Sequence, residues 1–120
     1  MKKLFLFFLC AYSVSAFQVV QTFDAPADNI AGLAVDPAGN GSELWAVSRS
    51  EEKVYKLDAT SGQIISSFSC AADTQNLKPA SLAYAGGLLY VAQWDGGINN
   101  GWGYEYTPAG EYKGRTSIFC

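Results

Sequence analysis

Residues 30–68 and 79–119 present the same succession of short apolar segments and turns, and this internal repeat constrains the fold more than any other feature of the chain. Five pairs of positions correspond at offsets of 45 to 50 residues: Leu33 with Leu82, Trp45 with Tyr90, Tyr55 with Tyr104, Gly62 with Gly110, and Cys70 with Cys120. Self-similarity at such a period is typical of proteins that stack one structural unit repeatedly.

Each copy contains four short segments rich in β-branched and aromatic residues, separated by clusters of Gly, Pro, Asn, Asp and Ser. This composition predicts strands joined by tight turns, and no stretch has apolar residues at helical spacing. The predicted strands are Ile30–Asp36, Glu43–Arg49, Lys53–Asp58 and Gln63–Phe68 in the first copy, and Ala80–Ala85, Leu88–Gln93, Gly103–Tyr106 and Glu111–Phe119 in the second.

The predicted strands at Leu44–Val47 and Leu88–Ala92 are apolar at successive positions, so both faces of each sheet require cover. Radial stacking of four-stranded meanders, as in a β-propeller, provides that cover. Small residues in the first strand of each copy, such as Gly32 and Ala83, suit the crowded innermost position of a propeller blade. A β-sandwich of eight or nine strands is the alternative architecture.

The segments Gly32–Asp36, Leu44–Val47, Val54–Asp58 and Thr60–Gln63 resemble blades of NHL-type and gluconolactonase-like six-bladed propellers, and residues 79–92 are similar to the same template. The resemblance implies an all-β fold of two tandem four-stranded antiparallel blades, residues 30–68 and 79–119. It implies no catalytic or metal-binding residue here, because the family's metal ligands are spread over several blades and its lyase relatives depend on His.

Residues 17–23 (FQVVQTF) read like Gln63–Phe68, the outermost strand of a blade, so we expect one extra N-terminal strand. Ring closure requires about four to eight blades, and residues 17–120 supply two. We therefore expect a part of a larger propeller or of an oligomeric one, with truncation favoured because a closed trimer would carry a surplus strand. A truncated propeller would leave open blade faces and an unpaired outer strand, which favour self-association.

Residues 1–16 have the layout of a signal peptide: Lys2 and Lys3, the apolar run Leu4–Leu9, and small residues up to Ala16. The apolar run is far shorter than the ~20 residues of a membrane span. We expect cleavage before Phe17 and a secreted or periplasmic protein with no membrane attachment after cleavage. Loss of the two lysines leaves six basic and eleven acidic residues, which argues against nucleic acid as a partner.

The chain contains no His, which excludes His-based acid–base catalysis and most zinc or copper sites. An enzymatic role is therefore disfavoured, and no catalytic residue is assigned. Calcium, which is bound by oxygen ligands, is the one metal considered, at Asp36 with Asn40 or at the loop residues 95–100. Both stretches also have ordinary turn composition, so the expected cofactor is none.

The loop 95–101 has no counterpart in the first copy, and insertions on a rigid scaffold often carry recognition. The candidate ligand-binding residues are Trp94, Asp95, Asn99, Asn100 and Trp102. Trp45 and Tyr90, at matched strand positions, are expected to pack between blades. Cys70 and Cys120 follow equivalent outer strands and form a possible disulfide, with free or intermolecular thiols as the alternatives.

Three functions fit this sequence. The first is an exported, non-catalytic binding or scaffold module for a protein or glycan. The second is a fragment of a propeller lactonase or lyase whose catalytic residues lie elsewhere. The third is an oligomeric, lectin-like sugar binder. The absence of His and of a clustered acid–base pair favours the first.

Overall fold

The structure, a computed structural model, describes residues 21–71, 78–94 and 101–118. These residues form two four-stranded antiparallel sheets, and their only helical element is a 3-10 turn at Pro37–Gly39. Within the described ranges, no helix is long and apolar enough to cross a membrane. The predicted signal peptide, residues 1–16, lies outside them.

Each sheet is a meander in which strands adjacent in sequence are adjacent in space. The first sheet contains β1 (Ile30–Val35), β2 (Glu43–Ser48), β3 (Lys53–Asp58) and β4 (Ile64–Ser69). The second sheet contains β5 (Pro79–Ala85), β6 (Leu88–Trp94), β7 (Gly101–Tyr106) and β8 (Tyr112–Ser117). All eight predicted strands are therefore present, and their described ends differ from the predicted ends by no more than two residues.

The extra N-terminal strand predicted over residues 17–23 is not confirmed. Residues 21–25 have no strand conformation, and residues 17–20 lie outside the described ranges. Gln21 nevertheless donates a side-chain hydrogen bond to the Thr60 carbonyl, which anchors this segment to the turn between β3 and β4.

The two sheets have equivalent registers. Ala34 pairs with Trp45 in the first sheet, as Ala83 pairs with Tyr90 in the second. Both sheets have a bulge near the start of the first strand, between Ile30 and Gly32 or between Pro79 and Ser81. Both also have a bulge where the third strand ends, and such irregularities re-aim the strands that carry them.

The main core lies between the sheets, where one face of the first packs against one face of the second. Side chains alternate between the faces of a strand, so between the bulges this interface receives residues at alternate positions of the strands. Its buried residues in the strands are Trp45, Val47, Val54, Leu82, Leu89, Val91, Tyr104 and Tyr106. Burial of this apolar surface is the main stabilising contribution to the stack.

The first strands of the two sheets, β1 and β5, lie close together at Gly32. A Cβ atom at this position would lie 2.6 Å from the Leu82 backbone nitrogen. Only glycine therefore allows this spacing between the two sheets without a backbone shift.

Candidate binding surfaces

The first candidate site is the end of the second sheet from which the inserted loop leaves. Trp94 is the last residue of β6, and Trp102 is the second residue of β7. Asp95, Asn99 and Asn100 lie outside the described residues, so their part in the predicted site remains a prediction. Trp94 pairs with Gly101 and Gln93 pairs with Trp102, so the β6–β7 ladder extends to the base of the loop.

This register places the two indoles on opposite faces of the second sheet. Trp102 lies opposite Gln93 and packs against the core between the sheets. Trp94 projects to the other face and is 56% exposed. The two side chains therefore do not form a single aromatic platform, and a flat ligand at this end of the sheet would stack on Trp94.

Two arginines stabilise the surroundings of the loop. The Arg115 guanidinium lies 4.3 Å from the centroid of the Trp102 ring, within the range of a cation–π contact. The Arg49 guanidinium, from the first sheet, donates to the carbonyl oxygens of Lys78 and Trp94, each at 3.2 Å. Arg49, which directly follows β2, thereby links the first sheet to the start of β5 and the end of β6.

The second candidate surface is the face of the first sheet that points away from the second sheet, which we call the first outward face. It is formed by Leu33, Val35, Ala46, Tyr55, Leu57 and Ile64. Ala46, Tyr55 and Leu57 are buried by Ala27, Ile30 and Leu44. Leu33, Val35 and Ile64 are 63%, 56% and 52% exposed. These aliphatic side chains, which we call the aliphatic strip, lie on both sides of the covered centre, Leu33 and Val35 on β1 and Ile64 on β4.

The third candidate surface is the opposite end of the stack, the face of the second sheet turned away from the first sheet. This second outward face is formed by Ala83, Tyr90, Ala92, Trp94, Glu105 and Thr116. Tyr90 is half-buried there, whereas Trp45, at the matched position, is fully buried between the sheets. The expectation of packing between adjacent sheets is therefore confirmed for Trp45, and Tyr90 occupies the corresponding position on a face that no other sheet of the described residues covers.

A partly buried ionic cluster occupies the first position considered for calcium, at Asp36, whereas the second, at residues 95–100, lies outside the described residues. Asp36 is 2% exposed and accepts hydrogen bonds from the Ala38 backbone N–H at 2.9 Å and the Trp45 indole N–H at 3.1 Å. Lys56 lies 3.2 Å from Asp36 and 2.6 Å from Glu43. Since the Lys56 ammonium group already bridges both carboxylates, the arrangement is a structural ion-pair network.

The pKa of Asp36 reflects competing effects. Burial by itself raises this pKa, but hydrogen bonds from Ala38 and Trp45 and the charge of Lys56 outweigh it, so the pKa lies below its ordinary value. The pKa of Lys56 is raised, most strongly by its hydrogen bond to Glu43 and also by its hydrogen bond to Asp36. Both groups are therefore held in their charged forms near neutral pH. Among the described residues, no group of three or more His, Cys, Asp or Glu side chains is arranged to hold a metal ion.

Cys70 lies in the core between the sheets, directly after β4. Its backbone N–H donates to the Glu52 carbonyl at 2.8 Å, and its carbonyl accepts from the Tyr106 hydroxyl at 3.0 Å. Burial raises the pKa of Cys70 to about 12, which disfavours a thiolate nucleophile. Cys120 lies outside the described residues, so the Cys70–Cys120 disulfide remains a prediction.

The contact between Phe23 and Gly62, in the turn between β3 and β4, was not predicted from the sequence. Phe23 packs on Gly62 so closely that a Cβ there would lie 2.4 Å from the phenyl ring. Phe68 packs in the same way on Gly110, where the corresponding distance is 2.6 Å. The similarity of residues 17–23 to Gln63–Phe68 was the available signal, and it indicated a strand without indicating this contact.

The comparisons with known proteins add no relationship, since neither a family model nor a curated protein sequence matches the chain. The resemblance to NHL-type propellers therefore rests on the sequence motifs alone.

Proposed function

We propose that this protein is an exported, non-catalytic binding module that holds a protein partner against the outward faces of two stacked, propeller-blade-like sheets. The supporting observation is that the first outward face has the same residue types as the face of the second sheet that is buried between the sheets. Leu33 and Leu44 on the first outward face correspond to Leu82 and Leu89, which are buried in that interface.

The exposed aliphatic strip indicates the chemistry of the partner. Leu33, Val35 and Ile64 have no polar atoms in their side chains, and each is more than half exposed. Exposed apolar side chains grouped on one face of a protein are typical of a protein-binding surface. A glycan would instead require several convergent hydrogen-bonding groups around an aromatic ring.

The test is dye binding by the purified, full-length protein under conditions where circular dichroism shows it folded. We expect 1-anilinonaphthalene-8-sulfonate to bind and to fluoresce. Leu33→Asp should reduce the fluorescence, because it places a charge in the aliphatic strip. Ala109→Asp introduces the same charge in an exposed turn of the second sheet and should leave the fluorescence unchanged.

Light scattering and a glycan array complete the test. A cooperatively folded protein that binds no dye and stays monomeric at high concentration would overturn the proposed function. Binding to a glycan that is abolished by Trp94→Ala, but not by Leu33→Asp, would replace the protein partner with a sugar.

A further inference from the structure

We propose that the second outward face binds an extended, basic segment of the protein partner, and that Glu105 and the ring of Tyr90 hold one of its arginine side chains. This inference rests on the proposed function, because it specifies what one of the two outward faces binds. It follows from comparing Tyr90 and Glu105 with the residues at the same register positions of the first sheet.

The pair formed by Tyr90 and Glu105 has a counterpart in the first sheet. Tyr90 lies directly opposite Glu105 across β6 and β7. At the equivalent place, Trp45 lies directly opposite Lys56 across β2 and β3. The Lys56 ammonium group is 5.4 Å from the centroid of the Trp45 ring, within the range of a cation–π contact, and it also forms salt bridges with two carboxylates. The first sheet therefore combines a ring, a cation and carboxylates at this place.

The second sheet has a ring and a carboxylate at this place, but its charge is inverted. Glu105 stands at the register position of Lys56. Ala85 and Leu88 lie opposite each other where the first sheet has the two carboxylates that contact Lys56. A cation beside Glu105 and Tyr90 would therefore give the second outward face the same combination of groups that the first sheet already contains.

The basic side chains on the strands of the second sheet are engaged elsewhere. Lys113 forms a salt bridge with Glu111 at 3.0 Å. Arg115 lies over the ring of Trp102, on the face turned toward the first sheet. Within the described ranges Glu105 takes part in no salt bridge, and it is half-buried. A partly desolvated carboxylate attracts a cation more strongly than one fully in water, because the effective dielectric constant around it is lower.

The surroundings of this pair leave room for a long side chain. Ala83 lies beside Tyr90 on β5, and Gly114 lies beside Glu105 on β8, where a Cβ atom would meet nothing within 4 Å. Directly opposite residues of an antiparallel pair have Cβ atoms about 4.5–5.5 Å apart, so one cation can contact the carboxylate and the ring together. Arginine suits this place better than lysine, because its planar group donates two hydrogen bonds to a carboxylate and stacks on aromatic rings.

Trp94 indicates that the occupant is an extended segment. It lies on the same face as Tyr90, four residues further along β6, and is 56% exposed. Four residues of a strand span about 13 Å, so a segment running along β6 places side chains four positions apart at Glu105 and over the Trp94 ring. A neutral glycan would leave the Glu105 carboxylate without a counter-charge. The net charge of the chain, −3, also favours a basic partner.

The test is a nuclear magnetic resonance titration of the full-length protein with the capped peptide Ser-Arg-Ser-Thr-Ser-Arg-Ser, whose arginines are four positions apart. We expect the largest changes in amide chemical shift at Tyr90, Trp94 and Glu105. Glu105→Gln should weaken binding about three- to fivefold, as expected for the loss of an exposed ion pair. Asp24→Asn removes the same charge from an exposed segment on the first sheet and should leave the affinity unchanged. The same peptide with citrulline in place of arginine, which has a similar shape without the charge, should bind more weakly by at least the same factor.

A second variant reverses the charge of the proposed site. Glu105→Lys introduces the residue type that the first sheet carries at the equivalent position, Lys56, so the sheet should accommodate it. We expect this variant to lose affinity for the arginine peptide and to bind the peptide Ser-Glu-Ser-Thr-Ser-Glu-Ser, which the unaltered protein should not bind. This exchange of preference distinguishes an ion pair at this position from a general loss of structure.

Two results would overturn this inference. One is a folded protein whose amide shifts at Tyr90 and Glu105 do not respond to the arginine peptide. The other is an equal loss of affinity in Glu105→Gln and Asp24→Asn, which would mean that net charge alone attracts the peptide. The dye experiment tests the first outward face separately, so the proposed function would still stand if Leu33→Asp reduced dye binding.

Discussion

Removal of the Asp36 carboxylate tests whether the buried ion-pair network stabilises the first sheet. Asp36 accepts from the backbone of Ala38 and from the indole N–H of Trp45, a residue with no exposed surface. In Asp36→Ala, water cannot readily reach that indole N–H, whereas it can solvate the exposed Ala38. Lys56 keeps its contact with Glu43 at 2.6 Å, so its charge remains compensated.

The loss of stability expected for Asp36→Ala follows from these contacts. A buried donor left without a partner costs about 1–3 kcal/mol, and an ordinary hydrogen bond contributes about 0.5–1.5 kcal/mol. We therefore expect Asp36→Ala to lower the free energy of unfolding by about 2–4 kcal/mol. Urea titration followed by Trp fluorescence and circular dichroism measures this quantity.

Asp58→Ala is the matched control. Asp58 also accepts hydrogen bonds, from the backbone of Thr60 at 2.9 Å and of Ser61 at 2.8 Å, but in an exposed turn where water can replace them. It should therefore destabilise the protein less than Asp36→Ala does. If Asp36→Ala costs less than about 1 kcal/mol, or no more than Asp58→Ala, the reasoning from burial is wrong.

Three further predictions test the ion pair, the glycine contact and the indole geometry. Because folding lowers the pKa of Asp36, the ionised carboxylate stabilises the folded state fully at pH values above 3.8, its ordinary pKa, and this stabilisation is lost as the pH falls through the pKa of the folded state. The difference in the free energy of unfolding between wild type and Asp36→Asn should therefore shrink in urea titrations at acid pH. A difference that stays constant with pH would contradict the assignment. Gly62→Ala should lower the melting temperature more than Gly86→Ala, because both glycines have positive φ but only Gly62 meets Phe23; an equal loss would mean that the Phe23 contact contributes nothing. Trp102→Ala should destabilise the protein by up to about 3 kcal/mol, because this side chain is partly buried. Trp94→Ala should destabilise it by no more than about 0.5 kcal/mol, because the side chain is exposed. The reverse order in thermal melts would refute the placement of the two indoles on opposite faces.

The strands and their order could be predicted from the sequence because the information that specifies them is local. Segments such as Lys53–Asp58 combine strand-forming residues with turn residues at both ends. Short turns then make consecutive strands antiparallel neighbours. The correspondence of Tyr55 with Tyr104 located equivalent strands, and in the structure these residues pair with Ala46 and Val91, which are themselves equivalent.

The candidate loop site was predictable only as a stretch of sequence. The sheet face on which Trp94 and Trp102 each lie depends on the β6–β7 register. A shift of this register by one residue would move each side chain to the other face. The proximity of the two indoles to one loop therefore did not show that they lie on opposite faces of the sheet.

The sequence by itself determined the β-strand content, the turn positions and the equivalence of two four-stranded units, because strand propensity, alternation and turn chemistry are encoded within a few neighbouring residues. Only the tertiary structure decided which face of each unit is covered. Trp45 is buried because the second sheet packs on it, whereas Tyr90, at the equivalent register position of the second sheet, is only half-buried on an outward face. The same holds for Phe23, whose packing on Gly62 requires contact between residues 39 positions apart in the chain. Burial of this kind depends on neighbours distant in sequence, and these long-range contacts distinguish the interface between the sheets from the surfaces proposed for binding.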